Sequence, residues 1–298
     1  VGIKILKPEV YLGSSKIYPE KLSKKYFYEI KKKIGSKVLH VERKKSILEM
    51  AISASKKTLK KSNADLNFLI LVSQGQDRIF PSCAEALAEN LKLKKKTFVL
   101  TISSGCSGFV QAVVIANKLL DKKNKNGLIV CVEKYSKYIS DKDLKTKVLF
   151  SDAATATLVK FNKKKNLISM DCGFDGKNSE SLKAENKNGK NILYMNGQNV
   201  FLFGLNNIPE SIKKVSNNNY IDKYLIHNGS KIMLDSIVKK AGIEQKKVCT
   251  SYKITGNTVS SSIPLLINLN YKSLSKKNIL MSGFGVGLSW ATLLIKWI

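Results

Sequence analysis

The hydrophobic pattern of the chain is clearest between residues 96 and 121. An apolar run from Thr97 to Ile102 has the length and the β-branched content of a strand. It ends in the small residues of SSGCSG, and an apolar segment from Phe109 to Leu120 follows. Because that segment is too long for a typical strand and is apolar on all sides, it predicts a buried helix. Cys106 then lies on a small-residue turn at the N-terminus of this helix.

Cys106 is therefore a candidate nucleophile. The first turn of a helix carries unpaired N–H groups and partial positive charge, which favours a thiolate over a thiol. The small residues on both sides leave room for a substrate carbonyl to approach the sulfur. The alternative is that Cys106 is a small buried hydrophobe, as free cysteines commonly are.

The rest of the chain alternates between predicted strands and helices. Ser46 is a candidate N-cap for an amphipathic helix, and Gly242 has the position of a C-terminal glycine. A helical segment over 200–215 contains Pro209, at which we expect a kink. The other predicted elements are a helix over 46–61, a strand over 67–73, a helix opened by Pro81 and ending near 91, a strand over 127–132, two strands over 147–161, a strand over 223–226, a helix over 229–241, a Ser-rich helix after 256–258 and two strands over 279–295.

Two pairs of similar segments indicate an internal repeat. VLFSDAATATLVKF and ILMSGFGVGLSWATLLIKW share one design, and LVSQG at 71–75 matches LIHNG at 225–229. We predict an N-terminal half over 1–160, carrying the nucleophile, and a connecting segment with a C-terminal half over 161–298. The alternation favours an α/β fold with largely parallel sheets covered by helices. Residues 163–190, rich in Lys, Asn and Gly, are predicted to be a surface connection.

The charge of the chain is unusual, at +30, although its hydrophobic content of 43% is ordinary. Of 52 basic residues only Arg43 and Arg78 are arginine, so 50 are lysine. Nucleic-acid readers rely on arginine for bidentate contacts, and lysines scattered between apolar segments are typical of a solvated surface. We therefore expect no nucleic-acid partner. An acidic macromolecular partner fits better, since a basic face speeds encounter with it.

The cysteines favour a reducing compartment. There are five, without a CxxC pair or a secreted spacing, so we expect free thiols in the cytoplasm. The chain opens VGIKILKP, without the apolar core of a signal peptide. The uncharged stretch from Ile279 to Ile295 is interrupted by glycines, which predicts two strands around a tight turn and not a membrane span.

Cys106, His227 and Asn257 each lie between a predicted strand and a predicted helix. In an α/β layer protein such junctions at the carboxyl ends of strands meet at one crevice. Taken singly, His227 is more typical of a core or surface histidine, and Gly256-Asn257 of a turn. Together they predict one site.

The local sequences at these junctions match a known pattern, in order, over about residues 65 to 298. The motifs are SSGCSGFV around Cys106, FPSCA (80–84), LFSDAATATL (149–158), MNGQNVF (195–201), IHNGSKI (226–232), GNTVSSSIPL (256–265) and GFGVGLSWA (283–291). With these motifs the chain resembles the β-ketoacyl-ACP synthase III family of the thiolase superfamily.

The resemblance implies a five-layered thiolase-like fold of two related βαβαβαββ-type halves, a homodimer, and decarboxylative Claisen condensation. Cys106 would be acylated by a thioester, and His227 and Asn257 would donate hydrogen bonds to the enolate of a malonyl-type thioester. The oxyanion hole would use the backbone N–H of Cys106 and that of Val286. The implied substrate-binding residues are Phe80, Gly285 and Gly287. Acyl carrier protein, coenzyme A thioesters or both would be the substrates, with no metal and no resident cofactor.

The chain departs from the family pattern in three places. Val286 stands where the family usually has Gly, and Val tolerates fewer backbone conformations. The family motif HQAN reads His227-Asn228-Gly229-Ser230, so the local role of Asn228 is open. The Trp and Arg that hold the adenine of coenzyme A in the family are missing, and Tyr28 and Lys145 are the nearest replacements.

Two alternatives remain at this point. Relatives with the same fold transfer an acyl group to a hydroxyl or amine, and Asn257 does not exclude this reaction. A basic binding protein with a decayed site belongs to a different class, and the intact set of Cys, His and Asn argues against it.

Overall fold

Two mixed β-sheets with two helices between them form the centre of the protein in a computed structural model. The structure describes residues 1–22, 28, 30–62, 64–75, 77–78 and 80–298. The strands are β1 Gly2–Ile5, β2 Glu9–Leu12, β3 Ser15–Ile17, β4 Leu39–Val41, β5 Phe68–Val72, β6 Phe98–Ile102, β7 Asn126–Glu133, β8 Ala153–Asn162, β9 Leu167–Phe174, β10 Leu182–Lys187, β11 Lys190–Met195, β12 Lys223–Ile226, β13 Asn278–Gly285 and β14 Ser289–Lys296. The helices are α1 Pro19–Leu22, α2 Ile47–Lys60, α3 Cys83–Asn90, α4 Gly108–Leu119, α5 Leu144–Lys147, α6 Gly197–Ser216, α7 Lys231–Lys240, α8 Tyr252–Thr255 and α9 Ser262–Leu274.

The two large sheets repeat one strand order. The first runs β6-β5-β7-β8-β1, with β2 also paired to β8, and the second runs β12-β13-β14-β9. A bridge between Tyr224 and Val248 continues the second sheet beyond β12. In each sheet one central pair is parallel (β5 with β7, β12 with β13) and the next is antiparallel (β7 with β8, β13 with β14). This repetition supports the division near residue 160, which stays a prediction.

Helices and sheets alternate in five layers. Helices α2 and α3 share a hydrophobic core with the first sheet. Helices α4 and α9 lie between the two sheets and share a second core with both. Helices α6 and α7 cover the far face of the second sheet. The predicted five-layered thiolase-like α/β fold is confirmed.

Helix α4 is buried because its sequence is apolar on all sides, as predicted. Phe109, Val110 and Val113 are fully buried in the central core. At Gly108 there is no room for a side chain, because an added Cβ would lie 2.4 Å from Cγ1 of Val72. The helix therefore packs closely on β5, and the turn before it is held at the middle of the molecule.

Three predictions about the strands were wrong. Residues 147–161 do not form two strands: Phe150 makes only a bridge to Asn257, and β8 is a single ten-residue strand. The supposed surface connection over 163–190 contains β9, an edge strand whose burial alternates. The sheets are mixed and not largely parallel, partly because the tight turn between β13 and β14 forces an antiparallel pair.

One helix prediction needs a smaller correction. The helix expected to open at Pro81 begins at Cys83, because the Ser82 side chain caps it by accepting from the backbone N–H of Ala84 at 3.1 Å. Pro209 lies within helix α6, as predicted, and the kink expected there stays a prediction. Among the described residues no helix is both long and apolar enough to cross a bilayer.

Helix α2 yields a test of local stability. Ser46 and Glu49 form a reciprocal capping box, in which each side chain accepts from the backbone N–H of the other residue. We predict that Ser46→Ala lowers the free energy of unfolding by about 0.5–2 kcal/mol, measured by urea denaturation. Ser236→Ala is the matched control, since Ser236 lies inside α7 and its hydroxyl has no hydrogen bond within the described chain. An equal effect of both substitutions would contradict the capping role.

Candidate active site

The three residues predicted to act together line one cavity of about 210 Å³. Cys106 lies just after β6 and before α4, His227 follows β12, and Asn257 follows the short helix α8. All three are buried, with 3–6% of each residue exposed to solvent. The structure therefore confirms that the three junctions meet, although Asn257 reaches the cavity from a helical turn and not from a strand.

Cys106 is enclosed by backbone. Its own N–H and the N–H of Val286 lie near its sulfur and lower the pKa of the thiol. At Gly285 an added Cβ would lie 2.9 Å from the sulfur, so a side chain there would fill the approach to it. This arrangement is compatible with the oxyanion hole expected at Cys106 and Val286, which stays a prediction.

A pair of serines ties the turn at Val286 to the start of α4. The Ser289 hydroxyl donates to the carbonyl of Val286 at 3.2 Å and lies 3.0 Å from the Ser107 hydroxyl. The Gln111 amide donates to the Ser107 oxygen at 3.4 Å. These contacts hold the turn in register with the nucleophile although a bulkier residue replaces the family glycine.

His227 and Asn257 converge beside Gly229. An added Cβ at Gly229 would lie 3.3 Å from His227 Nε2 and 3.8 Å from Asn257 Nδ2. Both nitrogens therefore lie close to the same point. The Asn257 side-chain oxygen accepts from the backbone N–H of Val259 at 2.9 Å, which leaves its NH₂ group for the cavity. The His227 ring packs edge-on against Phe284, with ring centroids 5.5 Å apart. Two hydrogen-bond donors can therefore act on one substrate oxygen.

The structure explains the role of Asn228. Its side-chain NH₂ donates to the carbonyl of Ile226 at 2.7 Å, and its oxygen accepts from the backbone N–H of Ser251 at 2.7 Å. Its own backbone N–H donates to the Ser262 hydroxyl at 3.0 Å. Asn228 thus connects the end of β12, which positions His227, to the segment that leads to Asn257.

Asn257 is held from the other side by the LFSD motif. Its backbone N–H donates to the carbonyl of Leu149 at 3.0 Å, and its carbonyl accepts from the N–H of Ser151 at 2.8 Å. Gly256 before it has a φ of +59°, where a Cβ would also lie 2.2 Å from Leu39. This pairing accounts for the apolar residues that were mistaken for a separate strand.

Burial sets the protonation states of the site. It raises the pKa of the Cys106 thiol, and the nearby carboxyl of Glu133 raises it further, while the two backbone N–H groups lower it only in part. The expectation of a resting thiolate from the helix N-terminus is therefore wrong, because desolvation outweighs the helix charge. Burial lowers the pKa of His227 to about 3, so its imidazole is neutral at pH 7.

The sequence reasoning missed Glu133. This carboxyl at the end of β7 is fully buried, and burial raises its pKa to about 8. It accepts from the backbone N–H of Gln74 at 3.2 Å and from the Ser260 hydroxyl at 3.3 Å. In the sequence it follows an apolar strand and precedes a lysine, and nothing local distinguishes a buried carboxyl from an exposed one at such a position.

Two predicted substrate-binding residues do not line the cavity. Phe80 is 83% exposed, which rules out the alternative that it is a local core residue. Gly287, with a φ of +134°, shapes the turn, and an added Cβ there would meet only Ser289. Gly285 does line the cavity. At the solvent end the cavity is bordered by the exposed residues Lys33 and Lys145.

The sequence of the chain matches a known protein family. The family profile "3-Oxoacyl-[acyl-carrier-protein (ACP)] synthase III" matches residues 100–176, and its C-terminal counterpart matches residues 213–297. A β-ketoacyl-[acyl-carrier-protein] synthase III of Streptococcus pneumoniae is 28% identical over 290 residues, which cover 89% of each chain.

Solved structures agree as well. A 3-oxoacyl-(acyl-carrier protein) synthase of Burkholderia xenovorans LB400 superposes with a TM-score of 0.92 at 26% identity, covering 100% of this chain and 94% of the other. The 3-oxoacyl-[acyl-carrier-protein] synthase III of Aquifex aeolicus VF5 gives a TM-score of 0.89 at 27% identity, covering 99% and 100%.

The layered fold and the buried site together define a condensing enzyme of the thiolase fold. Within that class, the chain belongs to the β-ketoacyl-ACP synthase III family. The resemblance inferred from the motifs is confirmed.

Glu133 provides a test of the electrostatics around the nucleophile. Above about pH 8, where Glu133 is ionised, its negative charge opposes ionisation of the thiol. Replacement by Gln removes that charge, so we predict a lower pKa for Cys106. The measurement is the rate of Cys106 alkylation by iodoacetamide as a function of pH, with the modified residue identified by mass spectrometry. The profile of Glu133→Gln should shift to lower pH, and that of the exposed control Glu244→Gln should match wild type. A shift to higher pH would contradict the assigned effect.

Proposed function

We propose that this chain is an acyltransferase that elongates an acyl group on Cys106 by decarboxylative condensation with a malonyl-type thioester. The observation that carries the proposal is the arrangement around one cavity: a buried thiol with two backbone N–H groups near its sulfur, and two side-chain donors beside Gly229. This set provides a nucleophile and two separate sites for a developing oxyanion.

The first step acylates Cys106. Its sulfur attacks the carbonyl carbon of an acyl thioester, the bond from that carbon to the donor's sulfur breaks, and the Cys106 proton leaves with the donor thiol. The N–H groups of Cys106 and Val286 hold the oxyanion of the tetrahedral intermediate. Because burial keeps Cys106 protonated at rest, the thiol must lose its proton as the substrate binds.

The second step is decarboxylation and carbon–carbon bond formation. The malonyl-type thioester loses carbon dioxide, and the electron pair moves onto its carbonyl to form an enolate. His227 and Asn257 donate hydrogen bonds to the enolate oxygen. The enolate carbon attacks the acyl carbon on Cys106, and the Cys106 thiolate leaves and takes up a proton. The neutral imidazole of His227 suits a donor that stabilises charge without first being protonated. These steps require no metal and no resident cofactor, and we place them in the cytoplasm.

We further propose a homodimer. Strand β6 lies at one edge of the first sheet, and β9 lies at one edge of the second. Large apolar side chains are exposed on these edges and near them: Phe98 is 50%, Phe174 is 80% and Phe80 is 83% exposed. A second copy is the simplest occupant of edges that otherwise leave strand backbone and aromatic surface in water.

The roles of the three residues can be separated by substitution. Cys106→Ala should abolish formation of the acyl-enzyme, measured by intact mass after incubation with an acyl thioester. His227→Ala and Asn257→Ala should still be acylated but should lose about 10²–10³ in the rate of carbon dioxide release from malonyl-ACP. Covalent acylation of Cys106→Ala at the normal rate would show that the nucleophile is another residue. Transfer to an alcohol or amine without carbon dioxide release would favour acyl transfer over condensation.

The cavity entrance predicts a preference for a carrier protein over free coenzyme A. Trp290 packs on Gly173 and Trp297 is buried, so neither can stack on an adenine at the entrance. Tyr28 is 64% exposed with Lys32 over its ring, and Lys145 cannot stack as a guanidinium does. We expect coenzyme A to bind about ten- to thirtyfold more weakly here than at a site where an aromatic ring and a guanidinium stack on its adenine.

The test compares acylation of Cys106 by matched acyl-CoA and acyl-carrier donors at low and moderate salt. The carrier reaction should be faster and should slow as salt screens the attraction between an acidic carrier and the basic face. Faster reaction with coenzyme A, or a carrier rate that does not depend on salt, would contradict the prediction.

Phe80 connects the dimer to acyl selection. Because it points away from its own core, we predict that it closes the acyl pocket of the partner and limits chain length. Phe80→Ala should allow longer acyl groups to react with Cys106, measured by intact mass with a series of donors. Tyr220→Ala, which removes an exposed ring that lies on neither β6 nor β9, is the control. An unchanged donor profile in a folded dimer, verified by light scattering, would contradict this role.

A further inference from the structure

A second cavity of about 320 Å³ lies on the other side of the turn at Val286. Val286 lines this cavity, and Tyr135 lines both this cavity and the one that contains Cys106. Its inner end is formed by Gln74, Gly75 and Tyr138. At its outer end lies the hairpin of β10 and β11.

The inner end of this cavity lies close to the nucleophile. The side-chain oxygen of Gln74 lies 2.6 Å from the position that a Cβ would take on Gly105, and Cγ1 of Val286 lies equally close to it. Gly105 directly precedes Cys106. The inner end of this cavity therefore lies beside the residue that precedes the candidate nucleophile.

The inner wall presents hydrogen-bonding groups without protein partners. The Gln74 oxygen accepts from the Tyr135 hydroxyl at 2.7 Å, which fixes the orientation of the amide. Within the described part of the chain, the NH₂ group of Gln74 and the hydroxyl of Tyr138 form no hydrogen bond. A purely hydrocarbon chain would leave both groups unsatisfied as it displaced water from them.

Among the described residues, the two lysines at this cavity already have partners. Lys183 contacts Glu180 at 2.6 Å and Glu185 at 2.7 Å. Lys137 donates to the carbonyl of Gly75 at 3.2 Å and lies 4.8 Å from the centre of the Tyr138 ring. Because burying a carboxylate costs more than burying a hydroxyl, an uncharged polar group fits this cavity best.

We propose that the acyl group accepted by Cys106 is short and carries a hydroxyl group, which binds Gln74 and Tyr138 in this second cavity. The hydroxyl oxygen accepts from the NH₂ of Gln74, and the hydroxyl proton is donated to the Tyr138 oxygen. This inference rests on the proposed function and specifies its substrate. The covalent step is the acylation described above, with the thiol of the donor as leaving group.

The experiment measures the rate of Cys106 acylation by intact mass with two donors on the same carrier, 3-hydroxybutyryl and butyryl. Wild type should react about tenfold or more faster with the hydroxylated donor, because a site built to bind a hydroxyl discriminates against the analogue that lacks it. Gln74→Leu, of similar size but without the donor, should lose this preference and gain rate with butyryl. Tyr138→Phe removes only a hydroxyl and should lower the preference even if Gln74→Leu fails to fold. Phe174→Ala should keep the wild-type preference.

The experiment distinguishes failure of this inference from failure of the proposed function. If wild type reacts with butyryl as fast as with 3-hydroxybutyryl, or faster, the inference about the acyl group is overturned and the proposed function stands. If no acyl thioester of any kind modifies Cys106, the proposed function falls and this inference falls with it.

Discussion

The whole site depends on a close approach between two backbone segments. At Gly283 an added Cβ would lie 2.3 Å from the carbonyl oxygen of Cys106 and 2.9 Å from Cα of Ser107. Strand β13 of the second sheet therefore passes directly against the turn that begins α4, which packs on the first sheet. Only glycine permits this approach, and it brings the N–H of Val286 to the Cys106 sulfur. The N-terminal and C-terminal halves of the fold therefore contact each other at Cys106.

Rigidity around that approach comes from polar contacts that are buried and paired. Ser107 and Ser289 join the oxyanion turn to α4, and Asn228 joins the segments that carry His227 and Asn257. A buried polar group is costly when unpaired, so each of these networks favours one arrangement of the backbone. The enzyme thereby presents preorganised donors, which need little reorganisation when charge develops on the substrate.

Burial also determines the starting protonation states. Desolvation disfavours every charged form in the cavity, so Cys106 rests as a thiol and His227 as a neutral imidazole. Glu133 adds a buried carboxyl, and burial raises its pKa to about 8. Reactivity at Cys106 is therefore not intrinsic to the resting enzyme. It depends on the substrate, which replaces water and brings the carbonyl to the two N–H groups.

The sequence by itself determined the buried helix that follows Cys106, the meeting of the three junctions and the family, because these depend on local patterns: the apolar period, the small-residue turns and the order of the motifs. It also predicted that Cys106 is the nucleophile. Only the tertiary structure showed that β9 is an edge strand, that 147–151 pairs with Asn257, and that Glu133 is buried. It also reversed the expectation of a thiolate. Burial and sheet pairing are relations between distant segments, and desolvation depends on what surrounds a group in space. The periodicity and motifs of a single chain do not contain that information.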